Sequence, residues 1–173
     1  TVLHNHLLHC DCYEDFFDIV KKEIQKECDN ICESINDLWF VPSPFMNVLM
    51  DCNIYNGGKY NNFGIHGTGI ATASDSLAAI KKYVFEEKSI EKRELINAVD
   101  NNFENTPRLL HKLRFEAPKL GNNDDFVDSI ATELLDAFAD ALNGKVNCRG
   151  GVFRAGTGSA MYYLWHAYEI GAS

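Results

Sequence analysis

Long apolar runs are missing from this chain. No stretch approaches the roughly 20 residues that a membrane helix requires, so no helical span is expected. Positive charge is scarce as well. Sixteen Lys and Arg stand against 25 Asp and Glu, a net charge of −9. Phosphates are repelled by such a surface, which argues against nucleic acid or an anionic membrane as a partner. No Asn-x-Ser/Thr sequon and no secretory signal pattern are present. No Cys-x-x-Cys pair occurs either. The six cysteines are irregularly spaced and read as reduced thiols of a cytoplasmic protein, not as a disulfide framework.

What is present is enough for one domain with a core: 173 residues, 46% hydrophobic and 24% charged. The chain opens on Thr1 without an initiator Met and stops at Gly171-Ala172-Ser173, directly after an aromatic helix pattern. Those ends predict a piece of something larger.

The most informative stretch is residues 60–85, YNNFGIHGTGIATASDSLAAIKKYVF. Residues 63–73 are apolar and β-branched, interrupted by Gly64, Gly67 and Gly69; Ser74-Asp75-Ser76 then opens a run with Leu77, Ile80, Val84 and Phe85 on one face. The pattern predicts a strand, a glycine-rich turn and a helix start at the serines. Glycines allow close backbone approach, and a helix N-terminus adds unpaired N–H groups, so the junction suits a small anion. Tight packing of a buried strand under a helix explains the same glycines.

Around it the pattern is mostly helical. A helix over 14–38 buries Phe17, Val20, Ile24, Cys28, Ile31, Ile35 and Leu38. Ser43-Pro44 predicts a helix start, with Phe45, Val48 and Leu49 buried. Ser89 and Thr106-Pro107 are expected to cap the next two helices, the first carrying Leu95, Ile96, Val99 and Phe103. Another runs from Asn122 to Asn143-Gly144, acidic at its start and glycine-capped at its end. A second strand, residues 151–154, leads to Gly156-Thr157-Gly158 and the helix AMYYLWHAY, whose Tyr162, Tyr163, Trp165 and Tyr168 are expected in core and interface, not in a cofactor site. Two strand–turn–helix junctions separated by long helices argue for an α/β architecture. Near the start, His4, His6, His9, Cys10 and Cys12 are zinc-ligand types, but their spacing lacks a paired motif and no metal site is expected.

Three segments carry a specific likeness: GGKYNNFGIHGTGIATASDSLAAIKKYVFEE, RFEAPKLGNNDDFVDSIA and CRGGVFRAGTGSAMYYLWHA. In this order, and over most of the chain beyond about Glu14, they resemble the glycyl radical enzymes of the pyruvate formate-lyase family. Asp75-Ser76-Leu77-Ala78-Ala79-Ile80 after HGTG looks most like the decarboxylase and dehydratase branches, with the large subunit of 4-hydroxyphenylacetate decarboxylase and other arylacetate decarboxylases first. The resemblance implies an α/β fold: a fragment of a ten-stranded barrel of two half-barrels, mostly helical in this piece, with residues 1–173 forming part of one barrel domain. It also implies a glycyl radical, installed by an activating enzyme that uses S-adenosylmethionine and an iron–sulfur cluster, which generates a thiyl radical that attacks substrate.

None of the six cysteines has the family's glycine–cysteine loop context, and Arg149-Gly150-Gly151-Val152-Phe153 only echoes the radical-glycine motif. The expectation is therefore a segment between the two radical carriers, with no catalytic residue, no cofactor and no activity of its own. Only four residues separate Cys52 from Gly57, fewer than the family leads one to expect.

By the barrel logic, inward residues of strands and turns reach the pocket. His66, Thr68, Phe153 and Thr157 are the main candidates, with Arg154, Phe40, Ser43 and Phe45 behind them. His66 suits a hydrogen bond to a substrate carboxylate or hydroxyl, or a proton shuttle; a buried histidine bonded to a backbone carbonyl is the plainer reading. Arg154 suits a carboxylate or a structural ion pair. The expected partners are a small carboxylate or alcohol substrate, the activating enzyme, a second copy in a homodimer and a small subunit. Alternatives are a glycerol- or diol-type dehydratase or formate acetyltransferase of the same family, and, from another class, a small anion-binding module or a purely structural domain.

Overall fold

The computed structural model describes residues 2–38, 41, 43–52, 60–158, 164 and 168. In chain order the elements are α1 (Val2–His9), α2 (Tyr13–Asn36), α3 (Pro44–Leu49), β1 (Phe63–Gly67), α4 (Ile70–Ala79), α5 (Lys92–Asp100), α6 (Pro107–His111), α7 (Asp125–Leu142) and β2 (Phe153–Thr157). Helices α4 and α6 each run on into a π-helical stretch, Ile80–Glu86 and Lys112–Glu116. The wider coil closes through bonds five residues apart, such as Glu87 N–H to the Lys82 carbonyl at 2.8 Å and Ala117 N–H to Lys112 at 3.1 Å.

The chain divides into two units. One holds residues 1–22, 68–136 and 159–173, the other 23–67 and 137–158. In the first unit α1 packs on α5. Tyr13, Phe16, Phe17 and Phe85 form a ring cluster, with Tyr13 stacked on Phe17 at 5.6 Å. The Lys81 ammonium sits 5.2 Å from the Tyr13 ring and 4.9 Å from Phe126, a cation held between two π faces. Burial pushes the Tyr13 phenol well above its usual range, and Glu133 and Glu14 add to that.

In the second unit β1 and β2 pair in parallel, and one sheet face is covered by helix. Cys28, Cys32, Ile65, Ala141, Leu142 and Phe153 make that core, with Ile24, Ile35, Phe63 and Phe138 at its margin. Both cysteines are small apolar fillers here. Desolvation raises their thiols, so neither offers a thiolate. In the native protein Cys28 and Cys32 should resist iodoacetamide at pH 8 by about 100-fold relative to the denatured chain, because labelling requires opening of the core. Equal rates in the two states, followed by peptide mass spectrometry, would refute this packing.

Several local expectations are corrected. The strand, glycine turn and helix follow in the expected order, but β1 stops at Gly67 and α4 already begins at Ile70, so Ser74-Asp75-Ser76 lie inside the helix and do not open it. Gly69 stands at the N-cap with φ +79°. Ser74, fully buried, donates back to the Ile70 carbonyl at 2.8 Å, a bond that lets a hydroxyl sit in a helix interior. Gly67-Thr68-Gly69 is the expected turn between β1 and α4, whereas Gly156 and Thr157 of the second Gly-Thr-Gly still belong to β2. Glu91, not Ser89, occupies the α5 N-cap, and Phe103 lies beyond that helix with φ +59°. Thr106 is at the α6 N-cap but makes no capping bond. Pro44 opens α3 as expected, but Ser43 makes no cap bond and Phe45, Val48 and Leu49 are exposed, Phe45 at 86%. Of the aromatics expected in core and interface, Tyr168 is 87% exposed and so is not in the core. Tyr162, Tyr163, Trp165 and the 53–59 connection lie outside the described residues.

Expectations for α7 hold closely. Asp124 caps it by accepting the Phe126 N–H at 3.0 Å, and Gly144 turns out of it with φ +73°.

Candidate functional site

Parallel strands cannot be joined by a tight hairpin, so their register has to be set by something else. Here Phe63 pairs with Phe153, Gly64 with Arg154, Ile65 with Ala155, His66 with Gly156 and Gly67 with Thr157. Side chains alternate between faces. Phe63, Ile65 and Phe153 turn into the helix-covered core. Gly64, His66, Arg154 and Gly156 share the other face, where His66 and Arg154 are exposed.

On that face His66 is held, not loose. Its Nδ1 lies 3.0 Å from the Thr157 carbonyl oxygen. A carbonyl only accepts, so Nδ1 carries a proton, and in the tautomer with that proton alone Nε2 is an acceptor. The ring lies over glycine on both strands. A Cβ on Gly64 would stand 3.4 Å from Nε2, and one on Gly156 would stand 3.8 Å from Cε1. The imidazole thus rests on bare backbone, and its second nitrogen has no hydrogen-bond partner among the described residues.

The predicted site residues therefore separate. His66 and the backbone of Thr157 come together at the far end of the sheet, while Arg154, opposite Gly64, shares the face of His66 nearer the start of the strands. Arg154 has no ion-pair partner among the described residues. Phe153 departs from expectation: it is 3% exposed, its ring 6.2 Å from Phe63, because register and alternation send it to the core face. Thr68 is exposed and belongs to the other unit. Ser43 and Phe45 are exposed around α3, and Phe40 lies outside the described residues. No three His, Cys, Asp or Glu side chains converge as metal ligands among the described residues.

Sequence reasoning missed the polar groups before the two strands. Asn147, 4% exposed, donates from Nδ2 to the Asn61 carbonyl at 2.8 Å. Its Oδ1 accepts from the N–H groups of Arg149 (2.9 Å) and Gly151 (3.3 Å). Asn62 Oδ1 accepts the Val152 N–H at 3.0 Å, and Asn61 Nδ2 donates to the Arg149 carbonyl at 3.3 Å. Asparagines flanking both strands were the available signal, since this residue bonds its own backbone and reaches across.

The other unit carries a cavity of about 470 Å³ lined by Asp75, Ala79, Leu95, Phe103, Leu113 and Lys119 among others. Asp75 is buried there, accepting the Leu120 N–H at 2.8 Å and facing Lys119 Nζ at 3.5 Å. None of the predicted pocket residues among the described ones lines it.

A two-stranded parallel sheet with helices on one face and an open, glycine-lined face carrying a histidine is a piece of α/β barrel wall. The fold matches the glycerol-bound form of a B12-independent glycerol dehydratase from Clostridium butyricum with a TM-score of 0.74 and 29% identity, over 86% of this chain and 20% of that one. Residues 4–165 match the model of the pyruvate formate lyase-like family, and the chain belongs to that family of glycyl radical enzymes. It is 31% identical over 178 residues to trans-4-hydroxy-L-proline dehydratase of Clostridioides difficile, covering 93% of this chain and 22% of the relative. Likeness to the 4-hydroxyphenylacetate decarboxylase glycyl radical subunit of the same species is 29% over 155 residues, 69% of this chain and 17% of that one. The chain thus spans about a fifth of the relatives it matches. No helix among the described residues is long and apolar enough to cross a membrane.

Proposed function

We propose that these residues are a wall segment of a glycyl radical dehydratase, a lyase that eliminates a hydroxyl from a small hydroxylated substrate, and that His66 lines its pocket. The order of the two branches is reversed from the sequence expectation, which put arylacetate decarboxylation first. The fuller coverage by the hydroxyproline dehydratase supports that reversal, with the glycerol dehydratase fold beside it. One observation carries the site: an exposed imidazole anchored through Nδ1 to the Thr157 carbonyl and lying on glycine, with Nε2 beside Gly64.

Elimination of a hydroxyl as water needs one proton delivered to the departing oxygen. His66 Nε2, an acceptor, is the group on this face suited to take the proton of the hydroxyl beside the radical carbon and return it to the hydroxyl that leaves as water. Arg154 supplies a bidentate donor fork for a substrate carboxylate. Radical hydrogen-atom abstraction belongs, in this reading, to a cysteine loop and a glycyl radical domain outside these residues. Activation by an S-adenosylmethionine iron–sulfur enzyme, and assembly as a homodimer with or without a small subunit, follow from the same reading.

The test uses the full-length activated enzyme. His66→Ala should lower kcat/KM on the order of 10²-fold while leaving glycyl radical content unchanged by electron paramagnetic resonance. Unchanged turnover at unchanged radical content removes His66 from the pocket. Carbonyl product from hydroxylated substrates, trapped as hydrazone, supports dehydration; CO2 release from arylacetates with no carbonyl product overturns it.

A further inference from the structure

Resting on the pocket reading of His66, we propose that Asn147 is a positioning residue for that histidine, acting as a register lock at the start of the strand pair. Parallel strands linked by a long connection have no turn to set their alignment, and a slip of one residue exchanges the two faces. In this sheet such a slip would take His66 off the open face and remove its Nδ1 from the Thr157 carbonyl.

The device that prevents it sits ahead of both strands. Asn147 is buried, and both polar atoms of its side chain are bonded. Oδ1 closes its own turn by accepting from Arg149 and Gly151, and Nδ2 crosses to the Asn61 carbonyl, two residues before β1. Asn62 makes the reciprocal link by accepting the Val152 N–H, one residue before β2. Directly after these two crossings Phe63 N–H donates to the Val152 carbonyl at 3.1 Å, and the ladder proceeds to its last rung, Gly158 N–H to the Gly67 carbonyl at 3.1 Å. Gly151 allows the approach, since a Cβ there would overlap the Asn61 carbonyl. The alignment chosen at the asparagines is therefore the alignment read at His66.

Asn147→Asp isolates the crossing bond. Aspartate keeps an oxygen for the turn N–H groups but has no N–H for the Asn61 carbonyl, and sets two acceptors against each other. In the full-length activated enzyme this variant should lower kcat 10- to 100-fold with radical content unchanged and KM altered less than about threefold. A double-mutant cycle with His66→Ala separates positioning from general damage. If Asn147 acts through His66, Asn147→Asp should cost less than twofold further in the His66→Ala background. An undiminished loss in that background overturns the proposal. Should Asn147→Asp fail to take up the radical, Asn62→Ala carries the same cycle on the reciprocal bond: a loss that vanishes without His66 supports the lock, and an unchanged or additive effect refutes it. Asn62→Asp, which keeps the acceptor, should restore most of the activity lost in Asn62→Ala. Failure of the pocket reading shows separately, as a His66→Ala enzyme of full activity.

Discussion

Gly151→Ala is expected to destabilise the protein by about 3 kcal/mol or more, the upper range for an overpacking substitution. The reason is local backbone crowding, not torsion. A methyl at residue 151 would overlap the Asn61 carbonyl and come within 2.5 Å of the Tyr60 carbonyl oxygen. No side-chain rotation can relieve a clash with two main-chain groups, so the 60–62 segment itself must withdraw. Withdrawal breaks the Asn147–Asn61 and Asn62–Val152 bonds together. Its neighbour is the control. Gly150 has φ +78° and open space around its missing side chain, so Gly150→Ala should cost only the left-handed strain of about 1–2 kcal/mol. Denaturant melts of the two variants decide the matter, and equal costs would mean that the close approach at Gly151 is absent.

Asp75→Ala should cost about 3 kcal/mol, and Asp75→Asn about half of that. The carboxylate is buried on α4 and holds the 118–121 turn through the Leu120 N–H and the Lys119 ammonium. Alanine orphans that N–H and leaves a partly buried cation without its partner, and both penalties fall on the same turn. Asparagine retains a carbonyl oxygen for Leu120 and loses only the charge. Hydrogen exchange at the Leu120 amide gives a residue-level check: it should accelerate strongly in the alanine variant and little in the asparagine one. Comparable acceleration in both would mean that the ion pair, not the amide bond, holds the turn.

These two sites illustrate how legibility varied. Asp75 was visible as a polar residue beside Ser74 and was read as a helix opening, because Ser-Asp-Ser is a common N-cap signal. The helix had already begun at Ile70, where Gly69 takes the left-handed turn. A buried acceptor for a loop 45 residues away leaves no local trace. Gly151 was legible only as a strand start, and what it packs against lies 90 residues earlier. Phe153 misled for a related reason. Alternation tells which residues share a face, but not which face meets helix and which stays open. On α3, Phe45, Val48 and Leu49 carry a helical apolar spacing that predicts burial, yet nothing among the described residues covers them.

The order of residues alone determined the helices with strong periodicity and clear stops, α2 and α7 above all. It also marked the glycine-bracketed His66 and the three segments that place the chain among glycyl radical enzymes. Those are local or near-local properties, written in spacing and in the torsions that glycine and asparagine allow. Tertiary structure alone decided the β1–β2 register, the separation of His66 from Phe153, the anchoring of Nδ1 on Thr157 and the roles of Asn147 and Asp75. Each depends on a bond between residues 45 to 91 positions apart, and the choice of partner at such distances is made by packing, which no window along the chain contains.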